Sequence, residues 1–292
     1  KKHEVIYSMA YGDQPSLILE QIEWALINGF ELVCAGKGTK HHPDFEASTP
    51  STVWENYEIN KHKAIKAGMN AKMFNSFITG DKSAIEMAAV VNGSDLNIQT
   101  EALSYPAVGT YDLVNKLIPK NFGGLLDKEG VVEVISSIDK NKKSIKNHLR
   151  WGIFTVIKGQ NKYIKECFYN YGMPIDKTGS YSASWRPFHY IGMELAQSIY
   201  AIAISKLSTG KTLHYKAEVA TVAKKDIKPG ETLDGEGGFF VKGKLIPALL
   251  SVRKKILPLG LSDGLRTNKY IKKNELILLD DVYQNFNQII LN

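Results

Sequence analysis

The sequence predicts an α/β (α+β) protein with a mixed sheet and a smaller all-β module at its C-terminal end. Three observations predict it. A helix-like stripe lies between two short apolar runs within residues 4–35. The run GVVEVISSI at 130–138 alternates and is β-branched, as strands are. Two similar turn phrases, at 226–233 and 270–277, recur about 45 residues apart, the mark of a repeated β-turn unit.

Residues 4–10 (EVIYSMA) read as a strand that ends in the turn Tyr11-Gly12-Asp13-Gln14-Pro15. A helix over 16–28 follows, with apolar Leu17, Ile18, Ile22, Ala25 and Leu26 on one stripe and Pro15 suited to its first turn. Gly29 ends it, and 30–34 reads as a second strand, so 4–35 is expected to form a parallel β-α-β unit. The stretch VCAGKGTKHH at 33–42 then reads as a strand ending in a glycine-spaced loop that carries Lys37 and Lys40. Ligands of α/β sheets gather at the carboxyl ends of strands. Two ammonium groups there suit an anionic substrate, and a plain solvated basic loop is the competing reading. Adjacent His41 and His42 point to opposite faces of an extended segment, so no metal is assigned to them.

Further along, 73–77 reads as a strand and 83–92 as a helix, with Asp81 or Ser83 as its cap. Asp81 and Lys82 stand at the mouth of that helix, where anions are attracted. Glu86 is placed to pair with Lys82 along one helix face. A short helix is expected at 111–118. A hairpin or meander is expected from 130–138 and 149–158, and a helix at 163–171. Residues 179–189 read as a loop crowded with Ser180, Arg186 and His189. A guanidinium suits a phosphate or carboxylate, and His189 is a candidate acid or base. The helix expected at 191–205 is apolar on nearly all sides, so it reads as a core or dimer-interface helix. A domain boundary is placed near residue 212.

Composition narrows the function classes. The chain has 292 residues, 43% hydrophobic and 23% charged, as globular proteins do. Its net charge of +7 is scattered, without a basic and aromatic tract, so nucleic acid is not implied. Cys34 and Cys167 lie in apolar contexts and read as free thiols. No apolar run reaches the roughly 18 residues of a membrane span, and no signal peptide is apparent, so the cytoplasm is expected and no membrane partner.

Several phrases carry a likeness. YSMAYGDQP, VCAGKGT, NSFITGDKSAIEMA, RWGIFTV and SWRPFHYIGMELA together resemble NAD(P)-dependent oxidoreductases related to homoserine dehydrogenase. Within that family the likeness is to the 1-deoxy-D-xylulose-5-phosphate reductoisomerase-like group. The repeated I-K-P-G-E phrase, LDGEGGF and LPLGLSDG resemble a SAF (β-clip) domain. The resemblance implies that 1–40 is the end of a Rossmann-type domain, here a remnant β-α-β. It implies a substrate-binding and dimerisation domain at 41–212 and a SAF-like domain at 213–292. No GxGxxG follows a strand and the chain opens on Lys, which favours part of a longer enzyme, or a member without its own nucleotide half.

By the same resemblance Lys37, Asp81 and Lys82 are catalytic. Lys40, Asn75, Arg186 and His189 hold the substrate, joined by Ser180 from the crowded loop, and Tyr11, Gly12 and Gly36 are placed for the cofactor, NADP or NAD. The expected substrate is a small anionic polyol-like molecule, phosphorylated or carboxylated, and the expected assembly a homodimer. A reductoisomerase would also leave room for a divalent metal, but no carboxylate triad stands out. The alternatives are a carbohydrate- or partner-binding subunit without catalysis, and a sugar-acid lyase or dehydratase.

Overall fold

The computed structural model describes residues 5–100 and 102–283. In chain order they form α1 (Gln14–Ile27), β1 (Glu31–Thr39), α2 (Val53–Tyr57), α3 (Lys61–Lys66), α4 (Ala71–Thr79) and α5 (Asp81–Asn92). Then come α6 (Leu113–Lys116), β2 (Val131–Ser136), β3 (Ile153–Lys158), α7 (Lys162–Asn170) and β4 (Tyr181–Arg186). Last are α8 (Ala196–Tyr200), a π turn (Ala201–Ser205), β5 (Ala217–Ala223), β6 (Val241–Pro247) and α9 (Ala248–Lys254). The chain divides into two compact units. One is Lys1–Lys40 with Ala89–Tyr215, and the other is His41–Ala88 with Lys216–Asn292.

The first unit is built on a mixed sheet in the order β2-β1-β3-β4, so the fold is α/β as expected. β1 pairs parallel with β2 and antiparallel with β3, and β3 pairs antiparallel with β4. One face carries Cys34, Val131, Ile135, Phe154, Val156 and Tyr181 into a core with Leu113, Val114 and Leu117 around α6. The other face meets α1, where Thr155 Oγ1 donates to Gln21 Oε1 at 2.9 Å. The start of α1 follows its sequence: Asp13 accepts from Gln14 N at 2.9 Å, and Pro15 sits in the first turn.

Several sequence expectations are corrected here. Residues 5–10 form no strand, and Glu4 lies outside the described residues. The expected β-α-β is therefore not made, and the parallel partner of β1 is the later β2. Residues 36–39 are not a loop but the end of β1. Their glycines serve close packing. A Cβ on Gly36 would lie 1.7 Å from the Glu133 carbonyl oxygen, and one on Gly38 would lie 1.7 Å from that of Leu149. β2 and β3 are not a hairpin, because β1 runs between them. Residues 73–77 are helical, within α4. Asn70 caps that helix by accepting from Lys72 N and Met73 N, and Gly80 closes it at φ 92°. A five-residue apolar run fits either period, and the cap decides it.

Residues 181–186, expected as loop, are strand β4. YSASWR alternates, with Tyr181 and Ala183 entering the core. The helix expected over 191–205 begins only at Ala196 and ends in a π turn. It is not a core helix: Ile199, Tyr200 and Ile204 are all more than 60% exposed. The helices at 83–92 and 163–171 and the strand at 218–223 are found close to their expected places.

In the second unit the two repeated phrases pair with one another about a local two-fold. Ile227 and Ile271 exchange backbone hydrogen bonds of 2.8 and 2.9 Å. Gly230 N donates to Thr267 O and Asn274 N to Ala223 O, while Leu233 N donates to Leu265 O and Ile277 N to Thr221 O. In each turn a Glu carboxylate accepts from the Lys amide three residues earlier, Glu231 from Lys228 at 2.6 Å and Glu275 from Lys272 at 2.9 Å. Gly230 and Asn274 occupy the same left-handed position, at φ 85° and 69°.

Candidate active site

In the first unit the geometry centres on Lys37. It lies opposite Ile153 of β3, and Ile153 lies opposite Arg186, the last residue of β4. Directly opposed residues of antiparallel strands share a face. Lys37, Ile153 and Arg186 therefore project together toward the side covered by α1. Two strand spacings separate the cationic residues at their Cα atoms, roughly 10 Å. They stand toward the carboxyl ends of β1 and β4, and Lys37 is only 6% exposed. The start of α1 closes in beside them, with Gln14 Nε2 donating to Gly152 O at 3.1 Å.

Arg186 leads into a rim of aromatic and polar residues. Its guanidinium contacts the Glu194 carboxylate and lies 4.9 Å from the centre of the Phe188 ring, which stacks on Tyr190. Glu194 also accepts from Tyr190 N at 3.1 Å. His189 Nδ1 is 2.6 Å from the Trp151 carbonyl. A carbonyl only accepts, so Nδ1 carries the proton and Nε2 is the nitrogen left to exchange one. Tyr11 N donates to Ser198 Oγ at 2.8 Å and its hydroxyl to Glu20 at 2.7 Å. Burial, helped by Glu20, pushes the Tyr11 hydroxyl up to about 12.

Of three further sequence candidates in this unit, Ser180 and Gly36 are not joined to that rim, whereas Gly12 is packed against it. Ser180 precedes β4 at its far end, where its amide donates to Asp176. A six-residue strand puts it roughly 20 Å from Arg186. Gly36 faces β2 on the other side of the sheet from Lys37. Gly12 has φ 94°, but a Cβ there would sit 2.5 Å from Tyr190 O, so its open side is filled by the chain itself.

Sequence reasoning missed Glu133, which is fully buried next to Gly36 in the sheet register. It accepts from Gln99 Nε2 and Ser104 Oγ at 2.6 Å each, and from Ser104 N at 3.0 Å. Burial pushes its carboxyl up. An acidic residue in the middle of an otherwise β-branched run was the available signal. Its work is to pin Gln99 and Ser104 to β2. Lys40, half-buried, follows β1 directly.

The second unit holds Asn75, Asp81 and Lys82, built around the glycine-rich stretch 234–243. Asp81 is fully buried, accepting from Gly243 N at 2.8 Å and from Gly237 N at 2.9 Å. Burial outweighs these bonds and the nearby Lys224, and the carboxyl is raised to about 6. Asn75 Nδ2 donates to Gly237 O at 2.9 Å and Ser48 O at 3.1 Å. Lys224 reaches Gly238 O at 2.9 Å, and Ser76 contacts Glu236. In this arrangement Asp81 and Asn75 fasten the loop. Lys82 pairs with Glu86 at 3.3 Å, the helix-face ion pair that its spacing allowed. The adjacent histidines diverge. His41 is buried, with Nδ1 3.3 Å from Ile78 O, and burial lowers its pKa to about 4. His42 turns to Asp44 at 3.4 Å. Among the described residues no group of three or more His, Cys, Asp or Glu is gathered to hold a metal ion.

Apart from the Lys37 face, a cavity of about 900 Å³ opens on the outer side of α1, lined by Tyr11, Leu19, Ile22, Leu26, Lys206 and Leu213. Among the described residues no helix is long and apolar enough to cross a membrane. Comparison with curated proteins gave no match. Comparison with protein families matched residues 12–195, which include β1 to β4, to the family described as oxidoreductase DRL, catalytic domain.

Proposed function

The chain belongs to the oxidoreductase DRL catalytic-domain family, and from that premise we propose that it reduces or oxidises a small anionic, polyol-like substrate at a carbonyl or hydroxyl carbon. The observation that carries this reading is the buried Lys37 held level with Arg186 on one face of the sheet. Negative charge builds on the substrate oxygen during reduction. Lys37 would stabilise that charge and give the oxygen its proton, an interaction strongest in the transition state. Arg186 would grip the anionic end. His189, with Nε2 able to accept or donate, would orient a hydroxyl.

The redox partner of this reading is NADP or NAD. Gly12 and Gly36 do not fit its diphosphate, and the Tyr11 N–H and hydroxyl are given to Ser198 and Glu20. The open side of Gly12 is filled by Tyr190, the helix start behind it is capped by Asp13, and Gly36 is packed on Glu133. The dinucleotide would be held by other residues. A divalent metal finds no cluster among the described residues, and the reading assigns it no step. A rearrangement before reduction, as in a reductoisomerase, is compatible with the same two cations. The local two-fold of the repeated turns supports reading 213–292 as a SAF-type β-clip. A homodimer is also proposed, with the exposed apolar segment 188–207 as the surface to test by sedimentation.

The test is oxidation of NADPH and NADH by the full-length protein against a panel of phosphorylated and carboxylated polyol carbonyls. Turnover is expected with at least one of them, and Lys37→Ala should lower kcat about a hundredfold or more with little change in KM. Turnover that is unaltered in Lys37→Ala would remove that lysine from the chemistry.

A further inference from the structure

We propose that Glu194 is a built-in stand-in for the anionic group of the substrate, which displaces it from Arg186. The inference rests on the reading of Arg186 as the anion grip. The Arg186 and Glu194 side chains touch and are only 23% and 19% exposed. A shielded guanidinium whose carboxylate is removed is left as an uncompensated charge. A substrate anion arriving in place of Glu194 keeps it compensated. The Phe188 ring braces the guanidinium, so the partner is the part more able to leave.

The segment bearing Glu194 is held mainly by polar contacts. Tyr190, Ile191, Met193 and Leu195 are 47, 63, 80 and 41% exposed, so few buried apolar contacts tie it down. Gly192, at φ 81°, interrupts it. Among what seats it are the ion pair, the bond from Tyr190 N to Glu194, the bonds of Ser198 with Tyr11 N, Met9 O and Thr209, and the close approach of Tyr190 O and Glu194 Cβ to Gly12. The ion pair uses Glu194 Oε1 and the bond from Tyr190 N uses Oε2, so a carboxylate that swings away whole gives up both, and the turn at 190–194 would loosen as the substrate arrives. A phosphoryl group carries about −1.5 to −2 charges and three acceptor oxygens. It can therefore compete with one internal carboxylate.

The experiment is titration of the full-length protein with inorganic phosphate, by calorimetry, in wild type, Glu194→Gln and Arg186→Gln. Glu194→Gln should bind phosphate about tenfold more tightly than wild type, and Arg186→Gln should not bind it. Hydrogen exchange of wild type supplies a readout that needs no variant: phosphate should speed exchange across 190–198. Equal affinity in wild type and Glu194→Gln, or unchanged exchange once phosphate is bound, overturns the inference alone. Undiminished binding by Arg186→Gln, or no binding to any form, overturns the anion-grip reading and the inference with it. If Glu194→Gln does not fold, the exchange measurement decides.

Discussion

Lys37 and Arg186 stand level with each other on either side of Ile153, on one face of the mixed sheet. They are distant in the chain, and the register of two antiparallel pairings brings them together. A slip of one residue in either pairing would turn one of the two charges to the opposite face.

Arg186→Lys should raise KM for the anionic substrate about tenfold and leave kcat within a factor of a few. Lysine keeps the charge but loses the planar fork of donors. Steady-state kinetics of the two forms at one ionic strength make the comparison. An unchanged KM would take Arg186 out of the substrate site.

Asp81→Asn should destabilise the unit that contains it by about 1–3 kcal/mol at pH 8, because the amide offers one acceptor where two backbone N–H groups need one each. Urea denaturation reads this directly. Equal midpoints for the two proteins would show that the carboxylate is not what fastens 237–243.

His41 and Asp81 should oppose each other in the pH dependence of stability. The folded His41 binds protons only near pH 4, against an ordinary value of 6.5, so its contribution is full above pH 6.5 and is lost as pH falls toward 4. The folded Asp81 binds its proton near pH 6, against 3.8, so stability is gained as pH falls through 6. Each effect is on the order of 3 kcal/mol. In His41→Gln the first is removed. The variant's Tm minus that of wild type should therefore grow more positive between pH 6.5 and pH 4 in scanning calorimetry. Parallel curves would mean that His41 is not held neutral by burial.

Gly38→Ala should fail to fold or lose several degrees of Tm, since its Cβ would meet the Leu149 carbonyl oxygen at 1.7 Å. Gly260→Ala is the control, because nothing lies within 4 Å of the added carbon and its φ is not positive. Similar melting of the two variants would contradict the close approach at Gly38.

Much of the local structure was legible because its causes are local. Pro15 announces α1, and its effect is confined to the first turn, where the structure adds Asp13 as the cap. The β5 alternation and the twin turn phrases were equally plain, since each glutamate bonds an amide three residues away. Short apolar segments were not so legible. Residues 73–77 fit strand and helix alike until Asn70 is seen to cap them, and YSASWR was hidden by its serines. In the site, Lys37 and Arg186 were legible as cations near strand ends, whereas the remoteness of Ser180 was not, because it depends on 181–186 being extended.

The sequence by itself determined the α/β class, the helices α1, α5, α6 and α7, the repeated turn unit and the residue types that suit an anionic ligand. Each of these is written in spacings of a few residues, over which caps, turns and hydrophobic stripes act. Only the tertiary structure decided that β1 lies between β2 and β3, that Gly36 and Gly38 exist for backbone contact, and that Lys37 shares a level with Arg186. Those are pairings between residues far apart in the chain. They are settled by which buried faces fit together, and no short stretch of sequence records that.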